Sequence, residues 1–286
     1  MPLMAQLTDR GAIVVTGPDG LKLLQGLVTN DLSHLAEGTA VHAGLLSPQG
    51  KILFEFLIVK ANGELLLDVA RDRAEDLIKR LNLYKLRADV RIRHACDRFI
   101  IIAGWGGATP AAPPGAVSYQ DPRHPALGWR MVTAGAGLGG TSSEAAYHAH
   151  RVALGVPEGG RDYDFGDAYP HEADFDLFHG VSFTKGCYVG QEIVARMQHK
   201  TVVRKRVVRV EADEALPGGR PNVMAGEVTI GRLGTVAGPH GLALLRLDRV
   251  AEFEAKGIAL TAGGVGVRIS AADRNLVAEA AREATT

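Results

Sequence analysis

One short segment concentrates the reactive side chains of this chain: Lys185-Gly186-Cys187-Tyr188-Val189-Gly190-Gln191-Glu192. A thiol acts as a nucleophile or a metal ligand only as thiolate, and a nearby cation or the positive end of a helix favours that form. Lys185 supplies a cation. The run Gln191-Glu192-Ile193-Val194-Ala195-Arg196-Met197 reads as a helix opening beside Gly190, which supplies the second influence. Both features predict a lowered pKa for Cys187. Gly186 and Gly190 let the backbone turn sharply or approach a ligand closely. The competing reading of Cys187 is a small buried hydrophobe, the usual fate of an unpaired cysteine.

Elsewhere the chemistry is sparser. The only other cysteine is Cys96, and no CxxC occurs. An iron–sulfur cluster usually takes about four thiolates, so this chain cannot cage one alone. Any role with clusters is indirect, shared with a partner, or made through other ligands. His171, His179 and His199 flank the segment and offer ligands for a shared cluster, though scattered histidines are usually surface or capping residues; no HExxH is present, and no resident metal is expected. Gly135-Ala136-Gly137-Leu138-Gly139-Gly140 matches GxGxxG between a strand and a helix. A dinucleotide site also needs a following strand ending in an acidic residue. Here Gly155-Val156-Pro157-Glu158-Gly159-Gly160 follows the helix, so the glycines read as a connection.

The elements that must position Cys187 are legible from period and punctuation. A β-branched run at 12–15 precedes Gly17-Pro18-Asp19 and a short helix with Leu21, Leu24 and Leu27 at helical spacing, ending near Thr29-Asn30-Asp31. Strands are expected at 41–46, 52–60 and 65–69, then an amphipathic helix at 72–84 and strands at 89–93 and 99–103. A strand at 127–133 and a helix at 142–154 follow. Residues 155–180 hold no sustained period, and a loop that long usually forms the wall or lid of a site. Beyond residue 200, short β runs at 202–210, 226–230, 234–237, 242–247 and 265–270 alternate with Gly and Pro turns, as in a small antiparallel barrel. Residues 273–286 read as an exposed, fraying tail. The expected organisation is an α+β body over 1–200, a β-barrel over 201–272 and that tail.

Composition narrows the classes. The 286 residues carry 32 Lys+Arg against 32 Asp+Glu, 32 − 32 = 0, which removes the electrostatic case for nucleic acid. No apolar run approaches the roughly 20 residues needed to span a bilayer. Without a visible signal peptide or a disulfide framework, a cytoplasmic setting is expected.

Lys-Gly-Cys-Tyr-x-Gly-Gln-Glu closely resembles the signature of the YgfZ family, folate-binding relatives of the glycine-cleavage T-protein. The segments Gln25-Gly26-Leu27-Val28-Thr29-Asn30-Asp31, Arg151-Val152-Ala153-Leu154-Gly155-Val156-Pro157 and Gly234-Thr235-Val236-Ala237 are also similar to that family. The resemblance implies a T-protein-like body of two intertwined ferredoxin-like units, a C-terminal antiparallel β-barrel, and bound tetrahydrofolate. It also implies a part in assembly, maintenance or repair of iron–sulfur proteins, with iron–sulfur enzymes or cluster-assembly proteins as partners.

On the same footing, Glu172 in Pro170-His171-Glu172 resembles the T-protein pterin-binding carboxylate, whose two oxygens suit paired N–H donors. Asn30 and Asp31 are similar to the Asn-Asp ending the T-protein's first helix, and Arg206 is a candidate for the glutamate tail of folate. For each, a purely structural role is the alternative: loop carboxylate, helix end, barrel-surface arginine. T-proteins that transfer an aminomethyl group carry an acidic pair in a Gly-x-x-Asp-Asp-like strand. Here Gly50-Lys51-Ile52-Leu53-Phe54-Glu55-Phe56 offers Glu55 alone. An accessory factor acting through Cys187 and Lys185 is therefore expected. The rivals are a folate-dependent one-carbon transferase using Glu55 or Asp31, and an interaction module with a vestigial pocket.

Overall fold

The computed structural model describes residues 2–135, 140–200 and 203–284. The chain divides into two compact units, Met1–Tyr147 with Asp176–Gln191, and His148–Phe175 with Glu192–Thr286.

The first unit contains β1 (Leu3–Leu7), β2 (Arg10–Thr16), α1 (Gly20–Gln25), β3 (Ala40–Leu46), β4 (Ile52–Ala61), β5 (Glu64–Ala70), α2 (Ala74–Lys85), β6 (Arg91–His94), β7 (Ile100–Trp105), β8 (Val117–Gln120) and β9 (Trp129–Thr133). Its strands form two antiparallel sheets, ordered β3-β4-β5-β2-β6 and β1-β7-β9-β8. Most of β4 is buried on both faces, which is why it reads as a continuous apolar run rather than an alternation. Phe56, Ile58 and Leu67 from the strands pack with Leu77 and Leu81 of α2 and Leu24 of α1.

A buried ion network joins the two sheets. Arg10 on β2 donates to Asp68 on β5 (2.7 Å), and Arg130 on β9 reaches both Asp68 and Asp121. Arg123 donates to Asp121 (2.7 Å) as well. Burial alone would raise the Asp121 carboxyl, but Arg123 and Arg130 outweigh it and hold it far below the usual carboxylate range.

The helices α3 (Glu144–Leu154) and α4 (Gln191–Lys200) carry the chain between units. In the second unit β10 (Lys205–Glu211), β11 (Asn222–Ala225), β12 (Val228–Ala237), β13 (His240–Arg246), β14 (Leu260–Ala262) and β15 (Val265–Ile269) close a barrel in the order β10-β13-β12-β11-β14-β15. Closure removes the free edges that an open sheet of short strands would expose. The helices α5 (Leu247–Ala255) and α6 (Arg274–Ala284) complete it.

Three expectations change. The two runs at 226–230 and 234–237 are one strand, β12, whose register shifts between Leu233 and Val236. The segment after β13 is helical, with Leu247 and Val250 buried. The expected tail is α6: Val277 and Ala280, three apart and so on one face, are buried in the barrel-side core, and α6 packs on α5. Of the glycine connection, residues 136–139 lie outside the described residues, as do 201 and 202. No described helix is long and apolar enough to cross a membrane.

Candidate functional site

The thiol segment is fastened to the first unit by residues far away in sequence. Helix α1 is short, and the chain leaving it presents main-chain carbonyls that no helix bond satisfies. Lys185 answers three of them. Its ammonium donates to the carbonyls of Gln25 (2.7 Å), Val28 (2.7 Å) and Asn30 (2.8 Å), one for each of its N–H bonds. Burial pushes this ammonium down to about 8, with the charge of Asp31 working the other way. At neutral pH it is protonated and all three donors are filled.

The residues before Lys185 are held by the opposite bank of the same loop. Thr29 donates its hydroxyl to the Gly180 carbonyl (2.6 Å) and accepts from the Gly44 amide, while its carbonyl accepts from the Ser182 amide (2.9 Å). The Asn30 side chain donates to the carbonyls of His179 (2.6 Å) and His42 (2.8 Å). His42 lies between the Phe178 carbonyl at Nδ1 and the Glu55 carboxylate at Nε2, both at 3.0 Å. A carbonyl only accepts, so Nδ1 is the donor to Phe178. Register explains the pair. His42 stands opposite Leu57 and Glu55 opposite Gly44, which makes the two side chains diagonal neighbours on one face of the β3–β4 ladder.

Behind the thiol the chain is equally fixed. Tyr188 is buried, its ring centroid 5.2 Å from the Lys185 ammonium, and burial pushes its phenol up to about 12. Gly190 has φ +82°, and a Cβ there would stand 2.6 Å from the Ser47 carbonyl oxygen, so only glycine fits. The Gln191 side chain accepts from the Tyr188 amide (3.3 Å), and α4 starts at that residue. Between these anchors Gly186 and Cys187 are exposed, as is Glu192 beyond them. Cys96 is a buried, unpaired thiol in the first unit.

This geometry reassigns several expected roles. The cation expected to favour a thiolate has its three donors on the 25–30 loop, so Lys185 acts as a clamp on the segment. Cys187 is exposed, which removes the buried-hydrophobe reading. Asn30, expected to contact folate, has both amide N–H bonds on main-chain carbonyls. Asp31 accepts from the Ser33 amide (2.9 Å) and from Gln25 (3.0 Å), and hydrogen bonds from Ser33 first of all hold its carboxyl below the usual range.

In the second unit Glu172 and Arg206 come together. The Glu172 carboxylate accepts from the Tyr169 amide (2.9 Å), and its carbonyl accepts from the Val207 amide (3.0 Å). Arg206, expected as a folate-tail receptor or a barrel-surface residue, is buried and donates to Asp174 (2.8 Å) and the His171 carbonyl (2.9 Å). His171 is buried and bonded to Gln198 (2.9 Å), whereas His179 and His199 are exposed.

Sequence reasoning missed His42 and Thr29. The usable signal was a histidine and a glutamate set singly within apolar strand runs, where a buried polar group requires a partner. Thr29 carried no such signal, because threonine after a helix is unremarkable.

Comparison with known proteins agrees with this architecture. Residues 204–274 match the CAF17 C-terminal β-barrel domain. The human iron–sulfur cluster assembly factor IBA57, mitochondrial, is 34% identical over 276 residues, covering 86% of this chain and 78% of that protein. The IBA57 homologue of Mycosarcoma maydis, also named mitochondrial, is 36% identical over 225 residues, 72% of this chain. The chain spans about half the length of such fungal relatives, 56% of that protein and 52% of the Neurospora crassa one. Among solved structures, the glycine cleavage system aminomethyltransferase T from Bartonella henselae shares the fold at a TM-score of 0.70 with 12% identity, over 94% of this chain and 84% of that one.

Proposed function

We propose, starting from the fact that this chain belongs to the IBA57 family of iron–sulfur cluster assembly factors, that it supports assembly, maintenance or repair of iron–sulfur proteins through the thiol of Cys187. The observation carrying this reading is the exposure of that thiol between fixed anchors: Lys185 on three carbonyls before it, buried Tyr188 and the tightly seated Gly190 after it. Ordering the segment in advance lowers the entropy cost of presenting one ligand to a partner. With Cys96 buried, the remaining ligands of any cluster come from that partner, an iron–sulfur enzyme or a cluster-assembly protein. A reducing compartment such as the cytoplasm suits two unpaired thiols; the relatives quoted above are named mitochondrial.

Tetrahydrofolate is kept in the proposal with a reduced ligand set. Asn30 fits it poorly because both its amide N–H bonds serve main-chain carbonyls, and Arg206 because it is buried against Asp174 and the His171 carbonyl. Glu172 stays the candidate for the pterin on the likeness of Pro170-His171-Glu172 to the T-protein segment, with a carboxylate suited to paired N–H donors. The one-carbon transferase reading is disfavoured by its own acid/base candidates. Glu55 is buried against His42, and Asp31 is held ionised by the Ser33 turn.

The test is complementation of a strain lacking the gene by wild type, Cys187→Ala or Cys187→Ser, with activities of several cluster-dependent enzymes as readout. Wild type is expected to restore them and both variants to fail at equal protein level. Equal rescue would remove the thiol from the function. A rise in Tm with tetrahydrofolate that is reduced in Glu172→Gln checks the folate part, because a ligand bound only by the native state must stabilise it.

A further inference from the structure

A second feature of the first unit lies away from the thiol segment, in a cleft of 450 Å³ beside α1 and the C-terminal end of α2. Its apolar lining is Leu23, Leu27 and Tyr84, and three cations border it, Lys22, Lys85 and Arg87. None of the three forms an ion pair or side-chain hydrogen bond among the described residues, whereas nearby Arg73, Lys79 and Arg93 each meet a carboxylate. Lys22 and Lys85 sit in the last turns of their helices, where the helix dipole favours a cation. Arg87 has no such reason. The one acid among the described residues lining the cleft, Asp19, accepts from the Asp89 amide (2.9 Å).

Leu86 is the odd residue of this cleft. The Ala88 amide donates to the Lys85 carbonyl (2.8 Å), closing a β-turn with Leu86 in its second position. There Leu86 has φ 46° and ψ −109°, the conformation that glycine ordinarily supplies in a type II′ turn. Its side chain is 87% exposed, and Leu83, three residues earlier, is 70% exposed. A leucine in that position strains the backbone and adds nothing to the core. A strained residue without an internal contact to compensate it is a reason to look for an external one.

We propose that this cleft is a docking site for a segment of another protein that carries leucine-like side chains flanked by carboxylates. Apolar side chains of the segment would fill the floor over Leu23 and Leu27 and cover Leu86, while its acids meet Lys22, Lys85 and Arg87. Charge selects this occupant. A second copy of the chain seated symmetrically would bring the same three cations face to face, and the flat plane of a bilayer would leave the recessed floor uncovered. The chain as a whole is neutral, so the excess of cations at the cleft is a local one. The proposal is independent of Cys187.

The experiment uses the full chain, isotope-labelled for amide NMR and titrated with a short synthetic peptide of leucines flanked by glutamates. Shifts are expected at amides of residues 19–27 and 84–88, weakening as salt is raised. Control peptides with lysine for glutamate, or alanine for leucine, should leave those amides unmoved. Lys22→Glu combined with Arg87→Glu should abolish the shifts. Leu86→Gly should weaken binding about tenfold, as loss of one central apolar anchor does, while Tm stays level or rises because the turn is relieved. That opposite movement separates docking from a folding defect. The proposal is overturned if the peptide leaves these amides unmoved, if the lysine peptide binds equally, or if Leu86→Gly binds like wild type. It is equally overturned if anionic phosphatidylserine vesicles or self-association, rather than the peptide, perturbs this cleft.

Discussion

Two buried cations of the first unit are held in different ways. Arg130 is met by the charges of Asp68 and Asp121, in a network that ties the two sheets together. Lys185 is met by the dipoles of three carbonyls, in a seat that ties a loop to a helix end. Removing either partner of a buried ion pair strands a full charge, whereas removing an ammonium from carbonyls strands only dipoles. The first arrangement therefore bears on whether the unit folds. The second bears on how Cys187 is presented.

Arg130→Ala should have the largest effect, about 3–5 kcal/mol of stability lost, because it removes buried bonds to Asp68, Asp121 and the Tyr147 hydroxyl at once and leaves a void between the sheets, even though Arg10 and Arg123 stay on the two carboxylates. Urea unfolding measures it, and a loss no larger than that of a surface substitution would erase the contrast with Lys185. The same network should respond to acid. Asp121 is depressed in the folded state, so its contribution is complete above the unfolded carboxylate range near pH 4 and is lost as pH falls toward its much lower folded value. In Asp121→Asn the Tm should start lower at neutral pH and converge on wild type as the solution is acidified. Parallel curves would show that the carboxylate is not what titrates.

Lys185→Met should cost less, about 1–3 kcal/mol, since the carbonyls of Gln25, Val28 and Asn30 lose a donor but no charge is stranded. Amide exchange at Ser182 and Lys185 should accelerate more than exchange on β4, and uniform acceleration would place Lys185 in the core instead of the clamp. Cys187→Ser should change stability by less than about 0.5 kcal/mol, the range of exposed substitutions. A large loss of stability in this variant would mean that the thiol is packed and not presented.

Much of the architecture was readable because it depends on local period. The β runs of β2, β4, β5, β9 and β15, the amphipathic face of α2 and the start of α4 beside Gly190 all stand where spacing placed them. The limit of two cysteines and the singular Lys-Gly-Cys-Tyr-x-Gly-Gln-Glu segment likewise needed no coordinates. Helix α6 reads from sequence as a tail because Val277 and Ala280 are too few to mark a buried face until α5 is there to receive them. Arg206 reads from sequence as a surface or ligand arginine because its partner Asp174 is 32 residues away, in a loop without period.

The thiol segment divides in the same way. Sequence determined that Cys187 lies between two glycines, after a lysine and before a helix. Tertiary structure decided what the lysine is for, because its three carbonyl partners are 155 to 160 residues distant. It also decided that His42 and Glu55 meet, through a strand register that side-chain period alone leaves open. Residue type and spacing record what a group can do. Which partner it meets depends on contacts between distant segments, and those exist only once the chain has folded.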